Sequence, residues 1–453
     1  MGRAGRAALA AVVLLAGYAA ADAYDVVPGI LTTAEPVPDP APYPTPTYRA
    51  APLTLTTPDP AAPRPDPAAL AALTDELLAD ERIGPSAGVL VVDAATGERL
   101  VDVEADVPRT PASSVKVLGA LAALDALGPD HVLTTQVVAG GPGEVVLVGG
   151  GDILLAAGAG DEGAVVGHAG LADLAEQTAD ALAGTGSVRV RLDDTLFTGP
   201  ALNPGWGGID LDFVMPIQPI AVETGLDPAG GYLPDPALAA AQTFAAALAA
   251  QGVAVDGAVE RAAAPAGAQV LATVESAPVE DIVAHTLRVS DNSLSEVLAR
   301  LVAVSDGGEG STDGAIAAVL DHLAGFGIDV SGVSLADTSG LLVENVVPPA
   351  VLADVVTTAL DPVHPQLRAA ADLPVAGLEG TLARRFAGPA AGVLQAKTGT
   401  LTTAVSLTGA VLDADGRLLV LSVVADDVPF GGASAAREAV DEWATALAGC
   451  GCR

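Results

Sequence analysis

Apolar residues at helical spacing, Val117, Leu118, Leu121, Leu124 and Leu127, follow directly on Pro111-Ala112-Ser113-Ser114-Val115-Lys116. The pattern predicts a helix with Pro111 just outside it and Ser113 in its first turn. Upstream, residues 68–80 read as an amphipathic helix, 88–93 as a strand, and 99–103 as its hairpin partner across Ala94-Ala95-Thr96-Gly97. A hairpin therefore delivers the chain to the Ser113 helix. Downstream, 132–138 and 144–148 alternate as short strands and end at Gly149-Gly150-Gly151-Asp152. Residues 171–182 form a helix, 188–192 a strand and 235–250 an Ala-rich helix. Gly and Pro punctuate 197–236, so this middle region reads as an inserted α+β unit with loops long enough for function.

From residue 279 the period turns helical: 279–289, then 293–304, meeting at Ser290-Asp291-Asn292. A helix over 315–325, a short strand over 333–335, a turn at Asp337-Thr338-Ser339-Gly340-Leu341 and a helix over 349–360 follow. The last stretch has apolar strands at 393–397, 404–412 and 417–425, the latter two joined at Asp415-Gly416. A closing helix covers 435–447 with Ser434 as its expected N-cap. Strands near both ends, with helices between, imply one sheet completed by the C-terminal half.

With 453 residues the chain has room for two or three domains. A formal charge of −36 argues against nucleic acid and anionic membrane surfaces as partners. Arg3 and Arg6 precede an uncharged, mostly apolar run over 7–21, with small residues after it. Residues 1–23 thus read as an export signal, with Ala19-Ala20-Ala21 or Ala21-Asp22-Ala23 as cleavage sites; an uncleaved N-terminal anchor is the alternative. Either way the bulk of the chain is expected outside the cytoplasm, in the cell envelope or secreted. Residues 24–66 form a Pro-rich linker of extended stiffness, and order is expected to begin near Pro67. Cys450 and Cys452 match no zinc spacing and read as a small disulfide or a frayed tail. No metal or cofactor motif appears.

Residues three apart share a helix face, so the Ser113 hydroxyl and Lys116 amine point into the same space. A desolvated lysine can serve as base to a serine nucleophile. Of the 20 cationic residues only Lys116 and Lys397 are lysine, the rest arginine. Arginine holds its proton inside proteins and lysine need not, so the two retained lysines are candidates for chemistry.

Ser113-x-x-Lys116, Ser290-Asp291-Asn292 and Lys397-Thr398-Gly399 occur in the order found in β-lactamases and penicillin-binding proteins. Residues 70–449 resemble the class C low-molecular-mass penicillin-binding proteins, the D-alanyl-D-alanine carboxypeptidase/endopeptidases. The resemblance also rests on Gly149 to Asp152, Asp337 to Leu341, and Leu373-Pro374-Val375-Ala376-Gly377 leading to Gly380-Thr381-Leu382. The 177 residues from Ser113 to Ser290 match a family with an accessory insert there; class A β-lactamases have a shorter gap and a Glu-x-x-Leu-Asn motif that is missing here.

The resemblance implies an α+β fold, an α/β/α sandwich with an antiparallel sheet. Residues 67–135 and 275–453 would form the catalytic part, and 136–274 the inserted accessory domain. It implies Ser113 as nucleophile, Lys116 as base, Ser290 as proton relay and Asn292 as holder of the substrate amide. The backbone N–H groups of Ser113 and Thr400 would form the oxyanion hole. Lys397 would supply charge, a role arginine can imitate, with Thr398, Gly399 and Thr400 lining the substrate. Asp210, just after Trp206, would receive the cationic end of a stem peptide. The implied partners are peptidoglycan stem peptides ending in D-Ala-D-Ala, and β-lactams as covalent inhibitors, with no cofactor. A β-lactamase and a non-catalytic wall-binding protein are the alternatives. In one departure, Ile153-Leu154-Leu155 follow Asp152 where the family has Pro-Thr-Leu. In a second, the insert is shorter than in the larger members.

Overall fold

The computed structural model describes residues 2–24, 26, 27, 31, 58–183 and 186–451. The chain divides into two compact units, Met1–Leu55 and Thr56–Arg453. In the first, the apolar run falls in helix α1 (Arg3–Ala23), with Val12 to Leu15 exposed. No helix among the described residues is long and apolar enough to cross a membrane.

In the second unit the elements follow as α2 (Pro67–Leu78), β1 (Ala87–Asp93), β2 (Arg99–Val103), α3 (Lys116–Leu127), β3 (Val132–Ala139), β4 (Glu144–Val148), β5 (Asp152–Leu155) and α4 (Leu171–Ala181). Next come β6 (Arg189–Asp193), β7 (Ile220–Val222), α5 (Pro236–Ala250), β8 (Glu260–Arg261), β9 (Val270–Pro278), α6 (Val279–Val289) and α7 (Asn292–Ser305). The chain finishes with α8 (Thr312–Gly325), α9 (Pro349–Leu360), β10 (Leu394–Thr400), β11 (Val405–Leu412), β12 (Leu418–Ala425) and α10 (Ala433–Ala448).

Five antiparallel strands in the order β10-β11-β12-β1-β2 make the central sheet. Its inner strands are apolar on both faces because both are covered, with successive side chains alternating between them. Leu90, Val92, Val420 and Val424 meet α3 and α6 to α9. Val89, Val91, Leu421 and Val423 meet α2 and α10, where Leu70, Val440 and Trp443 are buried. The fold is therefore an α/β/α sandwich.

A second sheet, β8-β6-β4-β3-β9, packs α4 and α5 over a core of its own that includes Leu147, Leu174, Val190 and Phe244. The region between the sheets is shared. Ile153 and Leu154 of β5, with Trp206, Val214, Met215 and Ile217, are buried in the helical core of the central sheet. The Ile153-Leu154-Leu155 departure thus fills a strand whose three side chains are all buried.

Four expectations change. Order begins before Pro67: the buried Arg417 guanidinium pairs with Asp93 and donates to the carbonyls of Pro60 and Ala62, and Asp59 N–H donates to Gly416 O at 3.0 Å. A proline-rich strap has fewer N–H groups but keeps every carbonyl, and a buried arginine can hold those. Residues 333–335 form no strand, only an isolated bridge from Ser334 to Val346. Gly432, not Ser434, caps α10; Ser434 lies inside the first turn and accepts from Arg437. Finally, β9, which pairs along β3, has no counterpart in the sequence reading. Cys452 lies outside the described residues, and with it the choice between a Cys450–Cys452 disulfide and a frayed tail, as does most of the linker.

Candidate active site

The nucleophile candidate enters α3 through a short 3-10 turn, Ala112–Val115. Ala112 is buried with φ of 47°, a left-handed conformation that L-residues adopt only under strain. The surroundings hold it there. Ser406 on β11 donates to Pro111 O at 2.6 Å and meets the Ser114 hydroxyl at 2.7 Å, fastening the turn to the sheet. Two glycines let backbones close on it. A Cβ on Gly340 would lie 2.1 Å from Ala112 O, and one on Gly399 would lie 2.2 Å from Ser406 Oγ. Ser114 and Ser406 thus lock the turn, while Ser113 stays half-buried at the surface of the site.

Lys116, 1% exposed, donates from Nζ to Ser113 Oγ at 3.0 Å, to Asn292 Oδ1 at 2.7 Å and to the Ser339 carbonyl. Burial lowers its pKa to about 8, against the opposing charges of Asp337, Asp291 and Glu296. Asn292 opens α7, and its Nδ2 donates to Phe213 O at 2.9 Å, which fixes the amide orientation. Asp291 caps the same helix by accepting from Leu294 N at 2.9 Å.

Ser290 sits between α6 and α7 with φ of 62°. Its hydroxyl accepts from Lys397 Nζ at 2.8 Å, and the same nitrogen donates to Thr398 O at 2.8 Å. Lys397 is 0% exposed. Burial, then the neighbouring charge of Lys116, pushes it well below the ordinary lysine range. Lys397 is therefore as enclosed as Lys116. The Thr398 hydroxyl donates to Thr381 Oγ1 at 3.2 Å, and Thr400 is exposed at the end of β10. A triad and a pair result, Ser113–Lys116–Asn292 and Ser290–Lys397, joined by the three-residue junction 290–292.

Asp210 stands apart. Its partly buried carboxylate accepts from Gly207 N at 3.1 Å within a short turn. Trp206 is 7% exposed and donates to Asp337 Oδ2 at 2.9 Å, turned toward the loop over residues 337–341. Sequence reasoning quoted Asp337 to Leu341 as a motif but gave it no role. In the structure Asp337 accepts from Gly340 N, Leu342 N, Asn345 Nδ2 and Trp206 Nε1, shaping the loop whose carbonyl at Ser339 meets Lys116. Glu296 was also missed. Its nearest signal is its place one turn after Asn292 and one turn before Arg300 on the same helix face.

Such a cluster, with a hydroxyl, a desolvated amine and an amide within hydrogen-bond reach, is equipped for acyl transfer through a serine ester. The model of the D-Ala-D-Ala carboxypeptidase 3 (S13) family matches residues 70–230 and 227–447. The chain is 38% identical over 410 residues to carboxypeptidase DacB of Mycolicibacterium smegmatis, covering 87% of each. It is 31% identical to the D-alanyl-D-alanine carboxypeptidase of Actinomadura, covering 81% of this chain and 83% of the relative. Among solved structures, penicillin binding protein 4 of Haemophilus influenzae superposes with a TM-score of 0.71 at 20% identity, over 83% of this chain and 98% of the other.

Proposed function

The chain belongs to the D-Ala-D-Ala carboxypeptidase 3 (S13) family, and from that premise we propose how its own residues hydrolyse a peptide ending in D-Ala-D-Ala. Neutral Lys116 takes the Ser113 hydroxyl proton as Oγ bonds to the carbonyl carbon of the penultimate D-alanine. The oxyanion faces the N–H groups of Ser113 and Thr400, each such donor being worth roughly 3–4 kcal/mol in comparable sites. The C–N bond then breaks as Ser290 hands its proton to the leaving amine and takes up the one held by Lys116, and D-alanine departs. Water cleaves the ester and restores the Ser113 hydroxyl. Asn292 and Thr398 hold the substrate, and Lys397 orders the Ser290 hydroxyl. A β-lactam acylates Ser113 by the same first step and stays as a slow ester.

The observation that carries this reading is the buried Lys116 amine, 3.0 Å from Ser113 Oγ. Endopeptidase cleavage of cross-links, recognition of a cationic stem-peptide end by Asp210, and export directed by residues 1–23, with or without retention as an anchor, complete the proposal. We assign the accessory role to the second sheet and its helices. Mass spectrometry after incubation with penicillin tests the core of it. One acyl group should appear per chain on the peptide containing Ser113, and a Ser113→Ala variant that still labels would overturn the assignment.

A further inference from the structure

This inference deepens the reading of Lys116 as the base and rests on it. A neutral amine has two N–H groups and one lone pair, and only the lone pair can take a proton. Three oxygens surround Lys116 Nζ: Ser113 Oγ, Asn292 Oδ1 and the Ser339 carbonyl. The latter two cannot donate, Asn292 Oδ1 being fixed by the bond from its own Nδ2 to Phe213 O. When they take the two N–H groups, the lone pair is left facing the Ser113 hydroxyl. The direction of the Ser339 carbonyl therefore matters as much as that of Asn292.

Glu296 sets that direction. It lies one turn beyond Asn292 on α7 and is fully buried. Its Oε1 accepts from Thr338 N at 2.9 Å and Ser339 N at 2.8 Å. Beside it, Ser295 Oγ donates to Thr338 O at 2.8 Å. Glu296 Oε2 has no protein hydrogen-bond partner. A buried acid is more than two N–H groups require, since each is within reach of a neutral acceptor such as an amide. We propose that Glu296 is a positioning residue, which clamps the 338–339 backbone so that the Ser339 carbonyl holds one Lys116 N–H and the lone pair points at Ser113.

Besides Glu296, the charged groups facing Lys116 are Asp291 at the start of α7, Asp337 on the loop, and Lys397 on β10. Burial, then the Asp337 carboxylate, raises the Glu296 carboxyl to about 7, with the Arg300 guanidinium opposing, so Glu296 is an anion where Lys116 titrates. Removing that charge withdraws one of three anions that favour protonated Lys116, so the base should titrate at lower pH. A residue that only fills space would not move that midpoint.

The test is the rate of acylation by a fluorescent penicillin, measured from pH 5.5 to 9.5 on the full chain. Glu296→Ala should lower the plateau rate on the order of 100-fold, the scale of a misplaced reacting group. Glu296→Gln, whose amide oxygen can keep both N–H groups, should hold the plateau within about tenfold and move the midpoint acidward by about half a pH unit or more. A Glu296→Ala plateau within about threefold of wild type, or an unmoved midpoint in Glu296→Gln, overturns the inference. If Glu296→Ala fails to fold, the Glu296→Gln midpoint decides alone. A wild-type chain that never labels at Ser113 overturns the reading beneath it as well, so the two failures are distinct.

Discussion

If Lys116 is the base, acylation must follow its neutral fraction. A lysine at 10.5 would be neutral about once in 3,000 molecules at pH 7, whereas one at about 8 is neutral about once in ten. Burial thus supplies roughly 300-fold in reactive amine. The second-order rate of penicillin acylation should rise about tenfold from pH 6 to 7 and level off above about pH 8.5. Lys116→Arg, which cannot deprotonate, should lose on the order of 10²–10⁴-fold, the range for loss of a general base. Stopped-flow fluorescence with a labelled penicillin, and the ester located on Ser113, measures both. A rate flat between pH 6 and 9, with Lys116→Arg within about tenfold of wild type, would refute the reasoning. The same shift has a stability sign. The folded value lies below the unfolded one, so the protonated amine opposes folding, by about 3 kcal/mol below pH 8. That penalty fades as pH rises from about 8 to 10.5.

Three further outcomes follow from particular contacts. Lys397→Arg should lose labelling about 100-fold or more, because the side chain is fully enclosed between Ser290 and Thr398; an activity within a few-fold would restore a simple charge role. A chain starting at Pro67 should melt lower than one starting at residue 58, by about 1–3 kcal/mol, since Arg417 loses its carbonyl acceptors. Identical thermal melts would show the strap to be passive. Asp210→Asn should spare penicillin acylation and weaken only stem peptides with a free side-chain amine; equal loss on both would mark Asp210 as structural.

Periodicity carried most of the architecture. The helices at 279–289 and 349–360 and the strands at 99–103 and 144–148 coincide with the structure, because each is long or strongly patterned against a single core. Strand β9 escaped because Thr273, Glu275 and Ser276 interrupt its apolar positions, and its pairing with β3 decides the matter from outside. The three candidate motifs were legible as side chains. What orients them was not, since the decisive groups are backbone carbonyls of Ser339 and Phe213, and any residue type supplies a carbonyl. The Arg417 grip on the strap escaped for the same reason.

The pairing of β1 with β12 sets Ala87 against Ala425, so the middle of the central sheet closes over most of the chain. Contacts this distant in sequence slow folding, because a long loop must be ordered before any of them forms. During synthesis β1 would emerge with the edge that β12 covers still bare, an aggregation hazard while it waits. The second sheet faces no such delay, its strands all lying between Val132 and Pro278. In refolding from denaturant, structure around β3 and β9 should therefore recover early. Penicillin labelling should arrive last, together with burial of Trp443 on α10, since the nucleophile turn has nothing to lean on until Ser406 is in place. Covalent labelling by an antibiotic would then serve as a clock for the final step of folding.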